Sequence, residues 1–222
     1  PFMLLSEKLS TPESVTRSAE EQARADEASA QLSGGIQGNV RFARNNISTA
    51  GLVDDIELGV QVAFGKRVGT ATINQFDDAS IERVVRRAED LAKLAPENPE
   101  FMPAVTKQTY RPTNTFSEAT AALTPEARAQ IAEASITPCR TQGLVAAGFL
   151  EDGHTFFAHA NSNGNFGYQR STEADYTCTV RTEDGSGSGW VASNVTDIDQ
   201  FDASDDIQIA MRKAAASSEA RA

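Results

Sequence analysis

The sequence predicts an α/β (α+β) fold written twice: a duplicated unit of antiparallel β-sheet with helices packed on one face. Three observations predict it. Ile81, Val84, Val85, Ala88, Leu91 and Ala92 recur at the spacing of a single helix face. Just upstream, Ile56, Leu58, Val60, Val62 and Phe64 alternate with Glu57, Gly59, Gln61 and Ala63, the period of a half-buried strand. The same order then returns near the C-terminus. Phe201-Asp202 stands where Phe76-Asp77 stood, and Ile207, Ala210, Met211 and Ala214 repeat the helical spacing. Upstream, Thr11-Pro12-Glu13 recurs as Thr124-Pro125-Glu126, and Phe42-Ala43-Arg44-Asn45-Asn46 as Phe157-Ala158-His159-Ala160-Asn161. Counterparts keep their order while their separation only grows, which fits a tandem duplication with insertions in the second copy.

In the first unit, residues 1–95, Thr11 caps and Pro12 opens a helix expected to reach about Arg24. Ala28, Ala30 and Leu32 alternate up to a turn expected at Gly34-Gly35, and Val40 and Phe42 belong to the next strand. Gly65-Lys66 suits a tight hairpin turn, after which Val68 to Ile73 returns antiparallel. Asp77 and Asp78 are candidate N-caps for the helix that follows.

Residues 96–123 read as an ordered, Pro-rich connector. Pro96, Pro99, Pro103 and Pro112 disfavour regular structure, while Phe101, Met102, Tyr110 and Phe116 offer apolar anchors. The second unit, residues 124–222, begins with a helix expected to end near Pro138. Val145, Ala147 and Phe149 form a strand, Glu151-Asp152-Gly153 a turn, and His154 to Ala160 another strand. Tyr176, Cys178 and Val180 alternate as the strongest strand of the first copy does, and a last helix runs from about Ser204 to Glu219.

At 222 residues the chain can bury a sizeable core. Its 20 basic and 31 acidic residues give a net charge of −11, which disfavours a nucleic-acid partner. No apolar run approaches the ~20 residues that span a bilayer, so no membrane partner is expected. Met3-Leu4-Leu5 is too short for a signal segment, and the chain reads as cytoplasmic. In that compartment Cys139 and Cys178 are small apolar residues rather than a disulfide. The sequons Asn46-Ile47-Ser48 and Asn194-Val195-Thr196 carry no meaning there.

The run Glu183 to Gly189 invites comparison with a phosphate cradle, but it has neither the full GxGxxG spacing nor a GK[ST] ending. It reads as a flexible hairpin. Gly185, Gly187, Gly189 and the sole tryptophan, Trp190, form a candidate substrate-contacting loop. His154 and His159, the only histidines, point to opposite faces of a strand and match no HExxH, HExxxH or Cys/His zinc spacing. Asp54-Asp55, Asp77-Asp78 and Asp205-Asp206 look like caps and solvated charge at turns and helix starts. No catalytic residue, metal ligand or cofactor is assigned to this chain.

Together, Arg41-Phe42-Ala43-Arg44-Asn45, Asp77-Asp78-Ala79-Ser80, Leu94 to Glu100, Ala160-Asn161-Ser162 and Asp184 to Trp190 resemble the TldD/PmbA family, over its N-terminal half. The resemblance implies a zinc-dependent peptidase or its partner, once described as a modulator of DNA gyrase, acting on unfolded or modified peptides. It implies a catalytic subunit with HExxxH and a later cysteine, and a metal-free partner of PmbA type. Either a homodimer or a heterodimer is compatible with it. Zinc would belong only to a C-terminal domain beyond Ala222, absent from this sequence. The phrases around Leu94 and Trp190 lean toward the metal-free side. The chain would then line the substrate chamber and contribute to assembly, with peptides lying along a sheet edge. The competing expectation is a stand-alone binding or scaffolding module without a catalytic role.

Overall fold

The structure, a computed structural model, describes residues 11–217. Met3-Leu4-Leu5 and the expected end of the last helix at Glu219 lie outside the described residues. Two repeats of helix, three strands and helix are present. The first comprises α1 (Pro12–Glu21), β1 (Glu27–Ala43), β2 (Asn46–Phe64), β3 (Arg67–Ile73) and α2 (Asp78–Leu94). After the short helix α3 (Glu118–Ala121), the second comprises α4 (Pro125–Thr141), β4 (Leu144–Asn161), β5 (Phe166–Thr182), β6 (Ser188–Val195) and α5 (Ala203–Ala216). A 3-10 turn, Ile198–Gln200, precedes α5. The six strands form one sheet in the order β3-β2-β1-β4-β5-β6.

The predicted helix starts are made by the predicted caps. Thr11 Oγ1 accepts from Ser14 N at 3.1 Å while Ser14 Oγ accepts from Thr11 N, closing a capping box ahead of Pro12. Asp77 accepts from Ser80 N at 2.9 Å, and the Ser80 hydroxyl and amide hold its carboxyl below the usual range. Thr124 and Asp202 cap α4 and α5 in the same way. Helix ends differ from expectation: α1 stops at Glu21, short of Arg24, and α4 continues past Pro138 to Thr141. Pro138 sits in the last turn, where its missing N–H costs one helical bond.

The chain divides into two compact units. Unit 1 takes residues 1–35, 55–114 and 156–170, and unit 2 takes 36–54, 115–155 and 171–222. In unit 1, α1 and α2 cover Ala28, Ala30, Leu32, Leu58, Val60 and Val62, with Phe156 and Ala158 in the same core. In unit 2, α4 and α5 cover Tyr176, Cys178, Val180 and Val191, joined by Val40 and Phe42. β1 and β4 therefore each contribute buried residues to both cores.

No turn interrupts β1 at Gly34-Gly35, nor β4 at Glu151-Asp152-Gly153. Glycine at these places answers crowding between strands. A Cβ on Gly34 would overlap Asp55 O and Ile56, and one on Gly153 would overlap Ile36 O. The first hairpin instead turns at Arg44 and Asn45, both in the left-handed region at φ 51° and 59°. The tight turn at Gly65 is as expected, with φ 58°. Two other positions depart from their patterns. Leu91 is 43% exposed, its place on the covered face of α2 taken by Glu89. Phe157 is 46% exposed whereas Phe42 is buried, so the two phenylalanines are not structural counterparts.

Candidate functional site

The turn after β5 is built from its own side chains. Thr182 Oγ1 donates to Asp184 Oδ1 at 2.6 Å, and Ser186 donates to the same carboxylate through its amide and hydroxyl at 3.1 and 2.9 Å. Led by the Thr182 hydroxyl, these donors hold the Asp184 carboxyl below the usual range. Gly187 N donates back to Thr182 Oγ1 at 2.8 Å. The amides a phosphate cradle would need are thus engaged within the turn. Gly185 supplies the left-handed residue at φ 76°. A Cβ on Gly187 or Gly189 would overlap the carbonyls of Ala214 or Ala210, because α5 presses directly on this strand. Trp190 projects away from that contact and is 56% exposed. Of the four residues of the predicted loop, only Trp190 presents a side chain to solvent.

A different surface, in unit 1, was not legible as a site in the sequence. On the sheet face turned away from α1 and α2, Ser29, Gln31, Gln61, Thr70 and His159 line a groove of about 290 Å³ rimmed by Phe101 to Val105. Period-two alternation places them there, since their neighbours Ala28, Ala30, Leu32, Val60 and Val62 are committed to the core. The rim is held by an asparagine clamp. Asn161 Nδ2 donates to Val105 O at 3.1 Å, Asn163 Nδ2 to Ala104 O at 2.7 Å, and Asn165 Nδ2 to the carbonyls of Val105 and Thr106 at 2.7 and 2.8 Å. Glu27 Oε2 accepts from Ala104 N at 2.7 Å. Met102 and Tyr110, expected as apolar anchors, are 83% and 52% exposed, so polar contacts fix this stretch instead. The signal was the alternation Asn161-Ser162-Asn163-Gly164-Asn165.

His159 stands in the groove wall with Nδ1 buried and unpartnered, and burial lowers its pKa, favouring the neutral imidazole. The groove offers amides, hydroxyls, an imidazole and the Glu27 carboxylate, a set that matches peptide groups better than a strongly charged ligand. His154 lies elsewhere, edge-on to Phe116 with ring centres 6.3 Å apart. Cys139 and Cys178 are free thiols in the unit 2 core, pushed by burial up to about 12 and about 11. Among the acidic pairs, Asp77 is a cap and Asp206 accepts from Ser193, but Asp54-Asp55 lies within β2 rather than at a turn. Among the described residues, no group of three or more His, Cys, Asp and Glu is placed to hold a metal ion.

The pattern of PmbA/TldA metallopeptidase domain 1 matches residues 28–92, and that of the PmbA/TldA metallopeptidase central domain matches residues 110–220. The chain belongs to the PmbA/TldA family. No curated protein matches it. Among solved structures, this PmbA/TldA chain is similar to TldE from Thermococcus kodakarensis, with TM-score 0.81 and 17% identity over 91% of this chain and 47% of that one. It is also similar to a Bacteroides thetaiotaomicron protein named as a candidate modulator of DNA gyrase, with TM-score 0.76 and 14% identity over 92% of this chain and 48% of that one. A Thermotoga maritima protein of like name gives TM-score 0.76 and 11% identity over 85% and 44%. The chain spans about half the length of these relatives, and at such identities the likeness is one of fold. Among the described residues no helix is long and apolar enough to cross a membrane.

Proposed function

We propose that this chain supplies domain 1 and the central domain of a TldD/PmbA-type metallopeptidase or of its metal-free partner subunit. In this role it lines the substrate chamber and takes part in subunit assembly for proteolysis of unfolded or modified peptides. The observation that carries the reading is the match of both family domains, in order, along one chain. The groove under the asparagine clamp adds a chemical reason. Exposed Gln31 and Gln61 can each donate to and accept from a peptide backbone, with Ser29 and Thr70 beside them. The chain's own residues would bind and orient a peptide, while zinc chemistry belongs to residues outside this sequence.

The test uses the purified chain with an unfolded, fluorescently labelled polypeptide. Binding without cleavage is expected, weakened by Gln31→Ala and Gln61→Ala together. Cleavage by the chain alone, or tight stoichiometric zinc binding, overturns the reading. Trp190 reports on the loop as a substrate contact: bound peptide should shift its emission to the blue, and unchanged emission at saturation removes that loop from the proposal.

A further inference from the structure

The first ten residues of β2 are unlike any other strand segment of the chain. From Asn46 to Asp55 every residue is exposed, including Ile47 at 43%, Leu52 at 62% and Val53 at 57%. On its outer side β2 is paired by β3 only from Leu58 to Phe64. Among the described residues, nothing pairs the outer edge between Asn46 and Asp54. Free edges are normally protected by lysine, proline or a bulge. Between Asn46 and Val53 there is neither lysine nor proline.

We propose that this edge, in unit 2, is where a second copy of the chain docks, antiparallel, about a two-fold axis perpendicular to the sheet at Ala50. Symmetry restricts the register, and the charges at the two ends of the edge choose among the registers it allows. Such an axis keeps every side chain on its own face, so only residues of equal parity can lie opposite one another. Centring on Ala50 sets Ile47 opposite Val53 and Asn46 opposite Asp54, each pair occurring twice. It also brings Arg44 of each hairpin turn one diagonal step from Asp54 of the other copy, within reach of a long side chain. The charge along the edge is itself polar, with Arg44 at one end and Asp54-Asp55 at the other. Antiparallel pairing of two copies satisfies both ends, which selects a second copy over a chance acceptor. The proposal rests on the reading above in one respect, since it gives the subunit contact a location.

Sedimentation velocity of the full chain over a range of concentrations at low ionic strength tests it. A dimer is expected. Val53→Lys and Asp54→Lys, both at exposed positions, should each weaken association by about tenfold, the latter by placing two like charges side by side. The combination R44E/D54K should restore it, because in a two-fold contact both partners of the pair are exchanged at once. A chain that is monomeric throughout overturns the proposal. So does a dimer indifferent to all three variants, although subunit assembly would then stand on another face. Amides of residues 46–54 that gain exchange protection only when an extended peptide is added would assign the edge to peptide instead. Failure of the chain to bind peptide, with the edge dimer intact, overturns the proposed function and leaves this contact in place.

Discussion

Buried polar residues set the most sensitive positions of this chain. Arg128 and Asp152 are both buried and joined by two hydrogen bonds, and Arg128 Nη2 also donates to Leu123 O at 3.1 Å. Removing one partner strands the other charge, so Asp152→Ala should cost about 3–5 kcal/mol in urea denaturation. Gly38→Ala should destabilise through the same pair, because its Cβ would occupy the Arg128 guanidinium. Cys139 and Cys178, held protonated by burial, should resist a thiol reagent in the native state and react together on unfolding. His159 has its pKa lowered by burial, so its neutral form is the one the fold favours. Its stabilising contribution is present above the unfolded value and lost as pH falls through the lowered folded value. An NMR titration should place its midpoint below 6.5.

At the scale of elements, the two repeats solve one packing problem identically. Gly69 in β3 admits the backbone of α2 at Ala88 and Ala92, and Gly189 in β6 admits α5 at Ala210 and Ala214. The register agrees, with Gly69 opposite Val62 and Gly189 opposite Val180. Gly69→Ala and Gly189→Ala should each cost about 1–3 kcal/mol, since the obstructing atoms are backbone and cannot rotate away. Thermal melts of the two variants check this. Such glycines look identical in sequence to turn glycines, which is why Gly34-Gly35 and Gly153 read as turns although they lie inside strands. The helices were legible because their caps and periodicity act locally. The hairpin turn at Arg44-Asn45 was not, because those two residues carry none of the glycine signals that mark such turns. The groove was also hidden: Gln31, Gln61 and His159 lie far apart in the chain and meet only through strand pairing. Asn165→Ala should release residues 104–108, seen as faster amide exchange there, with a stability loss of about 1–3 kcal/mol from the orphaned carbonyls.

Across the whole molecule, the clearest property is that neither core is made from one repeat alone. Val40 and Phe42 belong to the first repeat yet pack among Ile136, Tyr176 and Ile207 of the second. Phe156 and Ala158 belong to the second yet pack with Leu58 and Ile81 of the first. Loss of either core should therefore be felt in the other, and chemical denaturation followed by Trp190 fluorescence and by amide exchange in unit 1 should give coincident transitions. The reciprocal loan of strands also bears on how such a chain could arise. A lone repeat would expose the part of its hairpin that its own helices do not cover, and the economical cure is to trade that hairpin with a twin, as swapped dimers do. Fusing the twins end to end turns an encounter between molecules into an intramolecular closure, at an effective concentration on the order of millimolar for a short tether. Joining two such participants in one chain would give the shared cores seen here.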